Sequence, residues 1–134
     1  MINISPSHLN DFLEIEIHPE HSKVGDINAL TYAKDAMMYG ISFTLRNANK
    51  QIVAIGGFIE NMEGGHILWS IFSVYCKGSL RDIYREYKKH TALYVGEKLI
   101  VYTTHNKLAV FFGFIQDGEI TYGNVKLTRH VRVV

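Results

Sequence analysis

Apolar residues change their spacing several times along the chain, and those changes divide it into elements. In "SPSHLNDFLEI" Leu9, Phe12 and Leu13 fall on one helical face, with Ser5 placed as the N-cap and Pro6 as the first helical residue. A second helix is expected from Asp26, burying Ile27, Leu30 and either Met37 or Met38, and ending at Gly40. From Ile41 the period drops to two. Ile41, Phe43 and Leu45 alternate with Ser42, Thr44 and Arg46, as in a half-buried strand. "NANK" then turns the chain into "QIVAIGGFIE", which is apolar on both faces and therefore reads as a central strand; Gly56 and Gly57 within it point to a bulge or a close backbone approach. "NMEGG" turns again into "HILWSIFSVY", a third strand of the same kind. Three neighbouring strands joined by short turns make an antiparallel meander.

Past the meander the helical period returns. Ser79 is placed to cap a helix, with Asp82 as its capping-box acid. Leu80, Ile83, Tyr84, Tyr87 and Tyr94 form the inward stripe, and Arg81, Arg85, Lys88 and Lys89 face out. "KLIVYT" reads as a strand, and "HNKLAVFFGF" leaves a short helix and a strand both open. In "VKLTRHVRVV", Val125, Leu127, Val131 and Val133 alternate with Lys126, Thr128, His130 and Arg132. The order of two helices, three strands, helix, strand, short helix and two strands predicts an α+β layer with helices against a mixed sheet. No repeat, low-complexity tract or boundary interrupts it, so residues 1–134 are expected to form a single domain.

Composition removes several classes of function. With 47% apolar residues and two prolines, the chain is a folded one without a long linker. A net charge of +1 lacks the footprint of a nucleic-acid binder. The basic face of Arg81, Arg85, Lys88 and Lys89, with Arg129 and Arg132 from the tail, leaves binding of phosphate or an acidic protein open beside an ordinary solvated face, and Glu86 interleaves with it. The lone Cys76 excludes a disulfide framework and points to a reducing compartment. Its position near a helix N-terminus and Lys77 can lower a thiol pKa, but no histidine base is adjacent in sequence, and a structural cysteine is expected. The polar, acidic opening excludes a secretory leader, and no run of about 18 apolar residues offers a membrane span, so a cytoplasmic protein is expected. "HPEH" (His18, Glu20, His21) lacks a downstream cysteine pair and is broken by Pro19, so no metal is expected there. Tyr32, Tyr39, Tyr87 and Tyr94 at helical spacing read as core or interface.

"VYCKGSLRDIYREYKK" leaves a strand, passes Gly78 and enters the basic helix, a junction of the kind where free amides and the helix dipole grip a phosphate. Together with "FTLRNANKQIVAIGGFIENMEGGHILW", "KLIVYTTH" and "NKLAVFFGF" (Asn106, Ala109, Gly113, Phe114), it resembles the GNAT (Gcn5-related N-acetyltransferase) fold over residues 40–115. The pairing of "IVAIGGF" with "ILW", including Trp69, more specifically resembles the acetyltransferase-like internal virion proteins of short-tailed phages. The resemblance implies a GNAT-like mixed, largely antiparallel sheet flanked by helices. It also implies acetyl-CoA between the third meander strand and the strand after the helix, which splay apart. Pantetheine would pair with the backbone of Phe72, Ser73 and Val74, the pyrophosphate would lie at Gly78 and Ser79, and Asn106 would complete the cofactor set. Glu60 or Glu63 would be the general base, although both also read as ordinary solvated turn acids.

Two places depart from the family pattern. The phosphate loop should read R/Q-x-x-G-x-G/A, but Tyr75 stands in the first position and Leu80 puts bulk in the last. Active members often carry an acidic tyrosine seven residues after the asparagine; here that position is Gly113, flanked by Phe111 and Phe112, and the interval to "GF" is about one helical turn short. Tyr102 and Tyr122 are the candidate substitutes. The expected function is therefore that of a degenerate, phage-type GNAT-fold protein without acetyl transfer and without a cofactor. It would act through protein–protein contacts with virion or host proteins in particle assembly or genome delivery, in the host cytoplasm or the virion. The alternative is an active acetyl-CoA-dependent N-acetyltransferase that modifies a host protein or a small amine, with Glu60 or Glu63 as base.

Overall fold

A computed structural model of the chain describes residues 2–17, 23–24, 27–28, 31, 37–61, 65–92, 96–103, 106–122 and 125–133. The elements are β1 (Asn3–Pro6), α1 (Leu9–Glu14), a hairpin of β2 (Lys23–Val24) and β3 (Ile27–Asn28), β4 (Gly40–Arg46), β5 (Ile52–Asn61), β6 (Gly65–Phe72), α2 (Leu80–Thr91), β7 (Lys98–Thr103), α3 (Asn106–Phe111), β8 (Ile115–Tyr122) and β9 (Val125–Val133). Seven strands form one sheet in the order β1-β4-β5-β6-β7-β9-β8. Its neighbours are antiparallel except β6 and β7, which are parallel and joined through α2. This is the α+β arrangement that the change of period predicts.

Strand side chains alternate between faces, so a strand apolar on both must be covered on both. On one face Leu45, Phe58, Phe72 and Leu99 pack against Ile83 of α2 and Ala109 of α3, with Phe112 and Phe114. On the other, Phe12 and Ile15 pack on Ile52, Ile55, Trp69 and Ile71, with Met37 alongside. β5 serves both clusters, as its apolar run predicts. The pairing of β4 with β5 passes from Leu45–Ala54 to Arg46–Ile52, leaving Val53 as the extra residue of a bulge. Gly57 allows close approach of β4, because a Cβ there would run into the Ile41 carbonyl.

The N-terminal third departs most from expectation. Ser5 and Pro6 lie in β1, an edge strand paired with β4, where proline's missing amide costs no ladder bond. The helix starts later, capped at His8, and its inward residues are Asp11, Phe12 and Ile15. Leu9 and Leu13 are exposed, at 60% and 76%. Ile27 belongs to β3, paired with Val24 of β2, rather than to a helix, whereas Thr31, Met37 and Met38 of the expected second helix are helical. Asp26 itself, Leu30, Tyr32 and Tyr94 lie outside the described residues. Met37, not Met38, packs on the core, and Gly40 opens β4.

Ser42 and Thr44, expected on a solvated face, are buried beneath α1. Burial of these hydroxyls requires partners. Thr44 Oγ1 donates to Asp11 Oδ2 at 2.8 Å and contacts Ser7 Oγ at 3.0 Å. The His8 amide also donates to Asp11 Oδ2, at 2.9 Å, and Arg46 Nη2 reaches Asp11 Oδ1 at 3.1 Å. Arg46 Nη1 holds Glu14 and donates to the Lys50 carbonyl at 2.9 Å. Asp11 therefore fastens α1 to β4. Burial alone would raise its pKa, but the His8 amide, the Thr44 hydroxyl and the Arg46 charge together bring it below the ordinary value.

Because the native pKa lies below the unfolded one, this contribution is complete above the unfolded value, about 3.9, and is lost as the pH falls through the native value. Asp11→Asn is expected to cost about 1–3 kcal/mol at pH 7, by removing a charge-assisted buried acceptor, and to flatten the acid limb of stability below about pH 4. Denaturant unfolding across pH reads both effects. An unchanged midpoint and acid limb would contradict this role for Asp11.

Candidate functional site

β6 and β7 are in register over three pairs, Gly65–Lys98, His66–Leu99 and Ile67–Ile100. Beyond them both strands continue, β6 to Phe72 and β7 to Thr103, without pairing each other. This opening lies at the carboxyl end of two parallel strands, beside the start of α2, a position where α/β sheets commonly bind ligands.

The peptide groups of a strand face alternate sides. Ser73 N donates towards β5, to Val53 O at 3.0 Å, so Val74 N points to the side that β7 has left. That side is taken by the chain itself. Val74 N donates to Glu16 O at 2.9 Å, and Ile17 forms an antiparallel bridge with Ser73. Tyr75 donates its hydroxyl to Glu16 Oε1 at 3.1 Å, and this bond with the glutamate's negative charge raises the phenol pKa.

The turn into α2 is closed in the same way. Tyr75 N donates to Ser73 Oγ at 3.0 Å, Cys76 N to Ser73 O at 3.2 Å, and Ser79 N to Cys76 O at 2.9 Å. Ser73 is fully buried and organises the turn. Gly78 has φ +86°, and a Cβ there would meet nothing within 4 Å, so space beside it is open. Leu80 packs against the core, which directs its bulk inward and away from that space. Ser79 occupies the N-cap position with no side-chain cap bond. Asp82 pairs with Arg85 at 3.3 Å. Burial pushes the Cys76 thiol up, opposite to an activated nucleophile.

The remaining candidates are dispersed. Phe72 is buried in the core and Val74 is 44% exposed. Glu60 stands opposite His66 in the β5–β6 ladder, and Asn106 opens α3. Glu63, His18, Glu20 and His21 lie outside the described residues. Among the described residues no group of His, Cys, Asp and Glu could hold a metal, and no helix is long and apolar enough to cross a membrane. Tyr102 is half-buried opposite Arg129, and Tyr122 ends β8. The expected basic helix face is exposed, whereas Arg129 holds Asp117 at 2.8 Å.

Gly113, the position counted for the tyrosine, has φ +87°, and a Cβ there would lie 2.8 Å from Arg132 Nη1. That guanidinium donates to Phe112 O at 2.8 Å and lies over the Tyr87 ring, 5.9 Å from its centroid. Tyr87 packs edge-on against Phe112, and its buried hydroxyl has the Arg132 guanidinium near it but no hydrogen bond of good geometry among the described residues. Burial raises its pKa, against the opposing charge of Arg132. His130, expected on a polar face, is fully buried on the same side of β9 as Arg132, with Nδ1 3.4 Å from Thr128 Oγ1. The Glu16–Ile17 contacts and the seat of Arg132 join residues far apart in the chain and had no local signal.

No family model matches the chain, and no curated protein matches it. Solved structures do. An N-acetyltransferase from Staphylococcus aureus Mu50 is 20% identical, with a TM-score of 0.65 over 98% of this chain and 95% of that one. The histone acetyltransferase HPA2 and related acetyltransferase of Corynebacterium glutamicum is 13% identical, with a TM-score of 0.69 over 98% and 96%. A ribosomal-protein-S5-alanine acetyltransferase from Vibrio fischeri is 10% identical, with a TM-score of 0.67 over 98% and 92%. The chain has the GNAT acetyltransferase fold.

The two left-handed glycines differ in what surrounds them. Gly78→Ala is expected to cost about 1 kcal/mol from backbone strain alone. Gly113→Ala carries the same strain and also displaces a seated guanidinium, so it is expected to cost about 2 kcal/mol. Thermal or denaturant unfolding of both variants checks the order; an equal or smaller loss at Gly113 would refute the packing against Arg132.

Proposed function

We propose that this GNAT-fold chain acts through contacts with other proteins and does not transfer acetyl groups. The observation that carries the proposal is the engagement of the Val74, Tyr75, Cys76 and Ser79 amides at the end of β6 and in the turn after it. Val74 N, which an acyl carrier's extended arm would need, is bonded to Glu16 O, and Tyr75 N, Cys76 N and Ser79 N have acceptors within the turn. With these donors engaged, the native strand end offers the arm of acetyl-CoA no free partner at Val74 N. Gly113 supports the same conclusion, since its φ disfavours a side chain there, including the tyrosine that active members often carry.

The resemblance of "IVAIGGF" and "ILW" to phage internal virion proteins gives the contacts their setting. The partners would be virion or host proteins met during particle assembly or genome delivery, in the host cytoplasm or the particle. A second reading is favoured by the opening between β6 and β7 and the free space beside Gly78. In it the chain is an acetyl-CoA-dependent N-acetyltransferase. Phe72, Ser73, Val74, Gly78, Ser79 and Asn106 hold the cofactor, Glu60 or Glu63 serves as base, and a host protein or small amine is the acceptor.

Thermal shift and calorimetry with acetyl-CoA separate the two. Under the first reading neither responds. A carrier bound at a hundred times its dissociation constant would stabilise the fold by about 2.7 kcal/mol, and a shift of that size would overturn the proposal.

A further inference from the structure

We infer that Glu16 and Ile17 are an intramolecular strap seated where an extended, amide-bearing arm would pair with β6, so that the groove is latent and opens when the strap leaves. The inference rests on the reading above, that the native groove is closed. Its basis is the direction of the peptide groups. Ser73 N faces β5 and Val74 N faces the opening, where the Glu16 carbonyl already plays the part of an entering ligand's acceptor. The strap runs antiparallel to β6, as the Ile17–Ser73 bridge requires.

Among the described residues the strap meets the strand edge through few contacts. Its bonds in the described residues are the Val74–Glu16 amide bond and the exposed Tyr75–Glu16 contact, and Ile17 packs only partly buried. Under it, Ser73 and Val53 are fully buried and Phe72 is 4% exposed. Elements with few buried contacts open locally, without global unfolding. Once Val74 N is released, an acyl-carrier thiol with a pantetheine arm has an amide donor at the strand edge and open space beside Gly78 for its pyrophosphate.

Amide hydrogen exchange by NMR, with coenzyme A titrated by calorimetry, tests this on the whole chain. In the native protein Val74 N should exchange by local opening, at least tenfold faster than Val53 N or Ile55 N. Tyr75→Phe removes the latch without altering packing and should speed Val74 exchange further. Adding Ile17→Gly should let coenzyme A bind at least tenfold tighter than to the native chain. If Val74 exchanges only with global unfolding, or if its release brings no binding, the strap inference fails while the proposed function stands. If native protein binds coenzyme A with Val74 N still protected, both fail.

Discussion

The loss of pairing between β6 and β7 beyond Ile67 and Ile100 is the constraint around which this molecule is arranged. Two parallel strands that part inside a sheet leave facing rows of peptide groups, and buried peptide groups must find partners. A ligand, water or the chain itself can supply them. Here part of the demand on β6 is met by the chain, since the Glu16 carbonyl receives Val74 N. The rest of the fold makes that possible. Asp11, gripping Thr44 and Arg46, fixes α1 over β4, and Phe12 and Ile15 bury the helix on β5 and β6. The segment leaving α1 is thereby delivered to the end of β6.

Much of the sheet was legible because its signals are local. The alternation of Phe43 and Leu45, the double-sided run of β5 and the six residues of "KLIVYT" each mark a strand without reference to anything distant. Ile83 and its neighbours likewise declare the buried side of α2. The N-terminal third was harder to read, for a physical reason. Ser5 and Pro6 satisfy the rules for a helix start, yet the edge of β4 offers pairing to the same residues, and tertiary pairing prevailed over local preference. Ser42 and Thr44 look like a wet face until Asp11, thirty-three positions before Thr44, supplies the acceptor that permits the burial of the Thr44 hydroxyl.

The candidate site was legible in outline and obscure in detail. The glycine, the helix that follows it and the preceding strand are visible in "VYCKGSLRDIYREYKK", and so is the mismatch with a phosphate loop. The cause of the mismatch could not be read there. Leu80 suggests an obstruction, but its side chain belongs to the core and the space beside Gly78 is open. What closes the turn is a set of hydrogen bonds donated by its amides to Ser73 and Glu16, whose residue types carry no sign of that use. Gly113 is similar: its sequence shows an absent hydroxyl, whereas its geometry shows a backbone conformation shaped around Arg132.

These two departures are not equivalent. The first consists of a few hydrogen bonds near the surface, between a strand end and a short segment, and such contacts open on their own. The second is built into φ at Gly113 and into a guanidinium that bonds Phe112 O and lies over Tyr87, so it involves the packing of α2 against the α3–β8 corner. Freeing Val74 N would therefore provide a place for a ligand without providing an acid at position 113. Tyr87 does carry a hydroxyl at that corner, but its burial opposes the ionised form more than the nearby Arg132 favours it, and its ring is packed against Phe112. On the proposed reading, opening the groove would restore a place for a ligand without restoring acetyl transfer.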